Sequence, residues 1–159
     1  MRPATDRKWA TEIPVRDDAR ERSRFPVTDY ADNFETEAEV STAPRSAEQW
    51  ARVMFEGAPV GLRTLLVRTW PLLGVRLGPL YSAGYVLGWR ILKSTPDFVV
   101  LQARSGAGIT VRLVVQTDGR SVLAGTFVRC QGLLARALWF AIAPIHRLVL
   151  SRLLGEATR

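Results

Sequence analysis

One cysteine, Cys130, and one histidine, His146, are all the chain offers of the two residue types that most often bind metals. A lone thiol cannot close an internal disulfide or build a cysteine-based zinc site. It suits a reducing compartment, and a cytoplasmic location, free or peripheral to a membrane, is expected. One histidine leaves metal ligation without a ligand set, so no metal or other cofactor is expected. No serine, histidine and aspartate stand where a nucleophilic triad is recognisable. The glycines of residues 74–84 lack the lysine and serine or threonine of a phosphate loop. No basic-then-apolar leader opens the chain, so no signal peptide is expected. The longest apolar stretch, residues 133–154, is broken by Arg136, His146 and Arg147. A membrane span calls for roughly 18–20 apolar residues without such breaks.

What is present is enough for one folded domain. The chain has 159 residues, and its 47% hydrophobic content is ordinary for a globular protein. Its charge is divided unevenly. Residues 1–40 hold 7 basic and 10 acidic groups, a balance of −3; residues 41–159 hold 15 and 5, a balance of +10, almost wholly through arginine. A basic surface of this kind attracts acidic lipid headgroups, nucleic acid or an acidic partner. An anionic membrane surface is one candidate partner, and nucleic acid is not expected. Sheets that bind RNA interleave aromatics with their basic residues, and here the aromatics alternate to other positions.

Residues 1–24, the greater part of a segment 1–29, mix charges densely around few large apolar side chains, Trp9, Ile13 and Val15. Such a segment buries too little to offset its ordering entropy. It is expected as a disordered or loosely attached tail, or as a short helix docking through Trp9 and Ile13, before a domain at residues 30–157. Residues 33–42 alternate, Phe34, Thr36, Ala38 and Val40 opposite Glu35, Glu37 and Glu39, which predicts a half-buried strand. The glutamates are expected to pair with arginines on a neighbouring strand. Ser46 and Gln49 match a capping box, opening a helix with Ala47, Trp50, Val53 and Met54 on its apolar stripe. A second helical pattern runs through Leu62, Leu65, Leu66 and Leu73. The apolar loop at 74–84 could rim a ligand entrance, pack on the domain's edge or touch a membrane.

Four strands are expected next, over residues 85–93, 98–104, 109–117 and 121–131, with Asp118-Gly119 signalling a hairpin. One face would collect Trp89, Leu101, Ala103, Val111, Leu113 and Thr126, and the other Arg90, Arg104, Arg112 and Arg129. The apolar face needs a cover. Residues 133–154 supply one, with Leu134, Leu138, Ala141, Ile142, Ile145, Val149 and Leu153 at helical spacing. Pro144 predicts a kink there, or a break into two helices. The class is α+β.

Three stretches carry a family resemblance: GWRILKSTPDFVVLQA (88–103), GTFVRC (125–130) and the P-x-H-R run Pro144-Ile145-His146-Arg147. With the element order, they resemble an uncharacterised branch of the START-related (SRPBCC, polyketide cyclase-like) superfamily, over about residues 30–157. The resemblance implies a helix-grip fold, in which a curved antiparallel sheet and a long C-terminal helix enclose a cavity. Five strand patterns are readable here, where that superfamily has about seven. The implied activity is binding of a small apolar or lipid-like molecule. The residues expected to line the cavity are Tyr81, Tyr85, Trp89, Leu101, Val111, Leu113, Thr126, Trp139, Ile142 and His146, whose alternative is plain core. Two other functions stay open. One is a cyclase- or hydratase-like enzyme using His146 or Tyr85; the other is an interaction module with a filled core acting through its basic surface.

Overall fold

Apolar residues at every second position organise the centre of this protein into strands, and a long apolar helix at the C-terminus folds back over them. The structure, a computed structural model, describes residues 9–38 and 43–158. In chain order the elements are β1 (Thr11–Ile13), α1 (Asp17–Ser23), β2 (Tyr30–Glu37), α2 (Ala47–Phe55), α3 (Val60–Leu72), β3 (Tyr85–Val86), β4 (Trp89–Ser94), β5 (Phe98–Ser105), β6 (Ile109–Thr117), β7 (Ser121–Cys130) and α4 (Leu133–Ala157). The seven strands among the described residues form one antiparallel sheet, ordered β1-β2-β7-β6-β5-β4-β3. Helices α2, α3 and α4 lie over one face, giving a helix-grip-like α+β fold.

Two of these strands have no sequence signature. The run read as one strand over 85–93 is a hairpin, in which Val86 pairs with Trp89 across Leu87 and Gly88. Both central residues have positive φ, 46° and 86°, as a tight two-residue turn that matches strand twist requires. Glycine meets this freely. Leu87 adopts it while fully buried, so the core contacts of its side chain offset the backbone cost. A β-carbon on Gly88 would also lie 2.9 Å from the Leu77 side chain. The Asp118-Gly119 pair sits in a longer loop than a two-residue hairpin, with Asp118 Oδ1 accepting from the amides of Arg120 and Ser121, both at 2.8 Å.

The segment expected as a loose tail is part of the fold from residue 9 onward; residues 1–8 lie outside the described residues. β1 pairs with β2. It is also tied to α4: Ser151 Oγ donates to the Ala10 carbonyl at 2.8 Å, and Arg147 forms an ion pair with Glu12. α1 covers the second face of the sheet, where Ala19, Val100, Val114 and Phe127 form a small core flanked by Val15 and Phe25. Composition hid this, because α1 buries only Ala19 and Ser23 and leaves its charges in water.

β2 starts three residues earlier than the alternation suggested. Phe34 and Thr36 are buried as expected, while Asn33 is buried on the opposite face beside Gly125. Glu39 and Val40 lie outside the described residues. No arginine stands opposite the other two glutamates: Glu35 faces Thr11 and Leu123, and Glu37 faces Ser121. Arg112 is used elsewhere, donating to Gln102 Oε1 (2.9 Å) and the Ser23 carbonyl (2.8 Å) under the ring of Phe25.

The Ser46–Gln49 capping box is present and starts α2. Arg52 then clamps the loop that follows α3. It pairs with Glu48 and Glu56 and donates to the carbonyls of Ser82, Ala83 and Tyr85. α4 runs as a single helix through Pro144, which faces solvent, so no break occurs there. Its inner face differs from the one periodicity proposed. Ala135, Trp139, Ala143, Leu150, Leu153, Leu154 and Ala157 are buried, whereas Leu134 is 84% and Ile145 66% exposed. The small side chains at 135 and 143 set this phase, because they let the helix approach the sheet closely. By length and composition α4 could cross a bilayer; here its inner face packs on α2, β2, β6 and β7.

Candidate functional site

The grip of α4 on the sheet is tight at its C-terminal end and loose along its middle. Leu150, Leu153 and Leu154 are buried there, but from Trp139 to Val149 the helix leaves a cavity of about 280 Å³. Its floor is the sheet, through Trp89, Ala103, Val111 and Leu113. One wall is α4, through Trp139, Ile142, His146 and Val149. The other is α3 and the residues after it, through Leu66, Thr69, Trp70 and Val75. Leu65 and Ile145 line it while largely exposed, so the mouth opens between α3 and α4. No aspartate, glutamate, lysine or arginine is among the lining residues.

Of the ten residues expected at a cavity, Trp89, Val111, Leu113, Trp139, Ile142 and His146 meet in its wall. The other four do not. Tyr81 is 66% exposed in the loop after α3, and Leu101 is enclosed in the core. Tyr85 lies against Gly78 at the sheet edge. Thr126 stands one contact behind the wall, where its Oγ1 lies 2.8 Å from His146 Nε2; which atom donates depends on the imidazole tautomer.

Thr126 links the wall to a buried polar chain. Its amide donates to Asp32 Oδ1 at 3.2 Å, and the Tyr30 hydroxyl donates to Asp32 Oδ2 at 2.6 Å. The Tyr30 ring closes the circle edge-on to Trp139, at 5.3 Å between centroids. Burial pushes the Tyr30 phenol well above its ordinary value, and the Asp32 carboxylate adds to this, so Tyr30 stays a donor. Burial also draws His146 below the ordinary imidazole value of 6.5, opposed by the charge of Asp32. His146 is therefore neutral at pH 7, able to give or take one hydrogen bond but carrying no charge into the cavity.

This has a measurable consequence. An unfolded chain takes up a proton near pH 6.5, and the folded chain does so only at lower pH, so stability rises with pH across that window. The contribution is complete above about pH 6.5 and is lost as pH falls toward the depressed folded value. The urea midpoint should drop between pH 8 and pH 5, and His146→Gln should remove the part of that drop below pH 6.5. Equal acid sensitivity in the two proteins would count against a neutral, enclosed imidazole.

Tyr30, Asp32, Phe55 and Trp70 were not singled out from the sequence. Trp70 continues the stripe of Leu62, Leu66 and Leu73, and Tyr30 and Asp32 extend the alternation of Phe34 and Thr36 backwards. Those two signals were readable. Phe55 and Trp70 pack on Trp89, at 6.4 and 5.6 Å between centroids, a meeting of three separate elements.

A family model described as protein of unknown function (DUF2867) matches residues 24–153. Comparison with curated proteins gives no match.

Proposed function

This chain belongs to the DUF2867 family, and we propose that it binds a small, mainly apolar molecule in the cavity between the sheet and α4. One observation carries this: a cavity of about 280 Å³, open at a mouth between α3 and α4, with mainly apolar walls and no charged side chain among its described lining residues. Its size, about 280 Å³, lies just below the range usual for ligand pockets, about 300–1,000 Å³, so the occupant it suits is a small one. The helix-grip-like fold and the three resembling stretches support membership of the START-related (SRPBCC) superfamily as part of the same reading.

The interaction module with a filled core is disfavoured by the same cavity. The cyclase- or hydratase-like alternative retains one of its two candidate residues. His146 is in the wall, neutral and held by Thr126, whereas Tyr85 is not among the lining residues. Binding needs no further group, and it is the reading we adopt.

Native mass spectrometry of freshly purified protein tests it. The expected result is a non-covalent mass increment that vanishes on denaturation. Protein that carries no adduct and takes up no added α-methylstyrene would end the proposal.

A further inference from the structure

α4 is long and apolar enough to cross a bilayer, yet only 22% of its most apolar stretch is buried in this fold. Leu134, Ala141, Ile145 and Leu148 are all exposed, and at 100° per residue they share an arc about 60° wide. Across the cavity mouth, α3 supplies Leu65 and Leu72, two turns apart on one side of the helix and 59% and 85% exposed. Leu65 and Ile145 also line the cavity, so both rims of its mouth are apolar and face outward. Soluble surfaces seldom keep so many apolar side chains together, and where they do the patch marks a contact.

The charges around this face identify what covers it. From residue 57 to residue 96, a stretch that contains α3 and the loop after it, the chain has five basic residues and no acidic one. From residue 119 to residue 155, which takes in α4 to its last turn, it has five arginines and again no acid. Arg68 stands between Leu65 and Leu72 on α3, and Arg76 follows Val75 of the cavity wall. Both are exposed, and neither forms an ion pair among the described residues. A second copy of this chain would set arginines against arginines, because the one acid of α3 and α4, Glu156, is already paired with Arg152. A bilayer with acidic headgroups supplies both halves of the match. Acyl chains receive the leucines and Ile145, and phosphates receive the arginines, whose long side chains reach back to the headgroup layer. We propose that the cavity mouth docks on an anionic bilayer through the exposed faces of α3 and α4. α4 then lies in the interface and not across it, since its inner face stays packed on the sheet. An apolar ligand would pass from the acyl layer into the cavity without crossing water; that route rests on the binding reading above, while the docking stands on the surface alone.

Co-sedimentation of the full chain with large vesicles tests the docking. Phosphatidylcholine with about one-third phosphatidylglycerol should bind at least about fivefold more tightly than phosphatidylcholine alone, and high salt should remove most of that difference. Leu72→Glu and Leu148→Glu, neither in the cavity wall, should each weaken binding to the mixed vesicles about tenfold or more. Both positions are exposed, so circular dichroism should be unchanged and uptake of α-methylstyrene from solution should stay within about twofold of the parent. Arg68→Glu should weaken vesicle binding about fivefold or more. Arg90→Glu makes the same change of charge on the opposite face of the sheet from Trp89, and should matter less. The proposal is overturned if the protein binds neither kind of vesicle, if it binds both equally, or if the leucine variants bind the mixed vesicles as the parent does. It is also overturned if the parent sediments as a dimer that Leu72→Glu and Leu148→Glu dissociate, because a second copy then covers the face. Vesicle binding as expected, with no uptake of α-methylstyrene by the parent, would end the cavity reading and support the docking.

Discussion

Filling the cavity with Ala103→Phe and Val149→Phe is expected to lower affinity for α-methylstyrene by at least tenfold while leaving the protein folded. Ala103 rises from β5 in the floor and Val149 faces it from α4, so the two added rings enter the same space from opposite sides. Enlarging a well-packed core usually costs about 1–3 kcal/mol through strain. Here the added atoms enter an existing void, and burying them contributes about 25 cal/mol per Å² of apolar surface removed from water. The melting temperature should therefore hold or rise by a few degrees. Calorimetric titration and thermal unfolding on the same sample check both halves. A folded double variant that binds the hydrocarbon as well as the parent does would put the ligand somewhere else.

Removing the carboxylate of Asp32 should have the largest effect on stability of any single change near the site. Asp32→Ala strands two donors at once, the Tyr30 hydroxyl and the Thr126 amide. Asp32 and Thr126 are buried, so water reaches neither easily. Losing a buried acceptor costs about 1–3 kcal/mol for each donor left unmet, which for two donors gives a total of about 2–6 kcal/mol. In a domain of this size that lowers the melting temperature by about 4–24 °C. Tyr30→Phe removes one of the stranded donors and should recover part of the loss when combined with Asp32→Ala, a coupling that a double-mutant cycle reads directly. A loss below about 1 kcal/mol in urea unfolding, or strict additivity of the two changes, would mean the chain from Tyr30 to His146 is not a connected unit.

The same network marks where sequence reading stops. Asp32 and Thr126 are 94 residues apart, and their meeting depends on the pairing of β2 with β7. Nothing local to either residue encodes that pairing. The phase of α4 is a second case. Its apolar residues nearly encircle the helix, so periodicity admitted a face containing Leu134 and Ile145, and both are exposed. Alanines at 135 and 143 decide the contact, because helix approach depends on how little protrudes. The N-terminal segment is a third. Its composition is that of a chain that cannot fold alone, and it does not fold alone: Ala19, Val15 and Phe25 are buried against Val100, Val114 and Phe127, which the sheet provides.

By itself the sequence determined the elements whose residues carry a period: the alternating strands from β4 to β7, the capped helix α2, and a long apolar helix at the end. It also determined the charge of the domain, and it excluded an internal disulfide and a cysteine-based zinc site. Only the tertiary structure decided that β1 and α1 belong to the fold, that Trp89 and Trp139 line one cavity, and that this space is left unfilled. A period records which way a side chain points within its own element. A cavity is the difference between the shapes of several elements, and no single stretch of chain contains that difference.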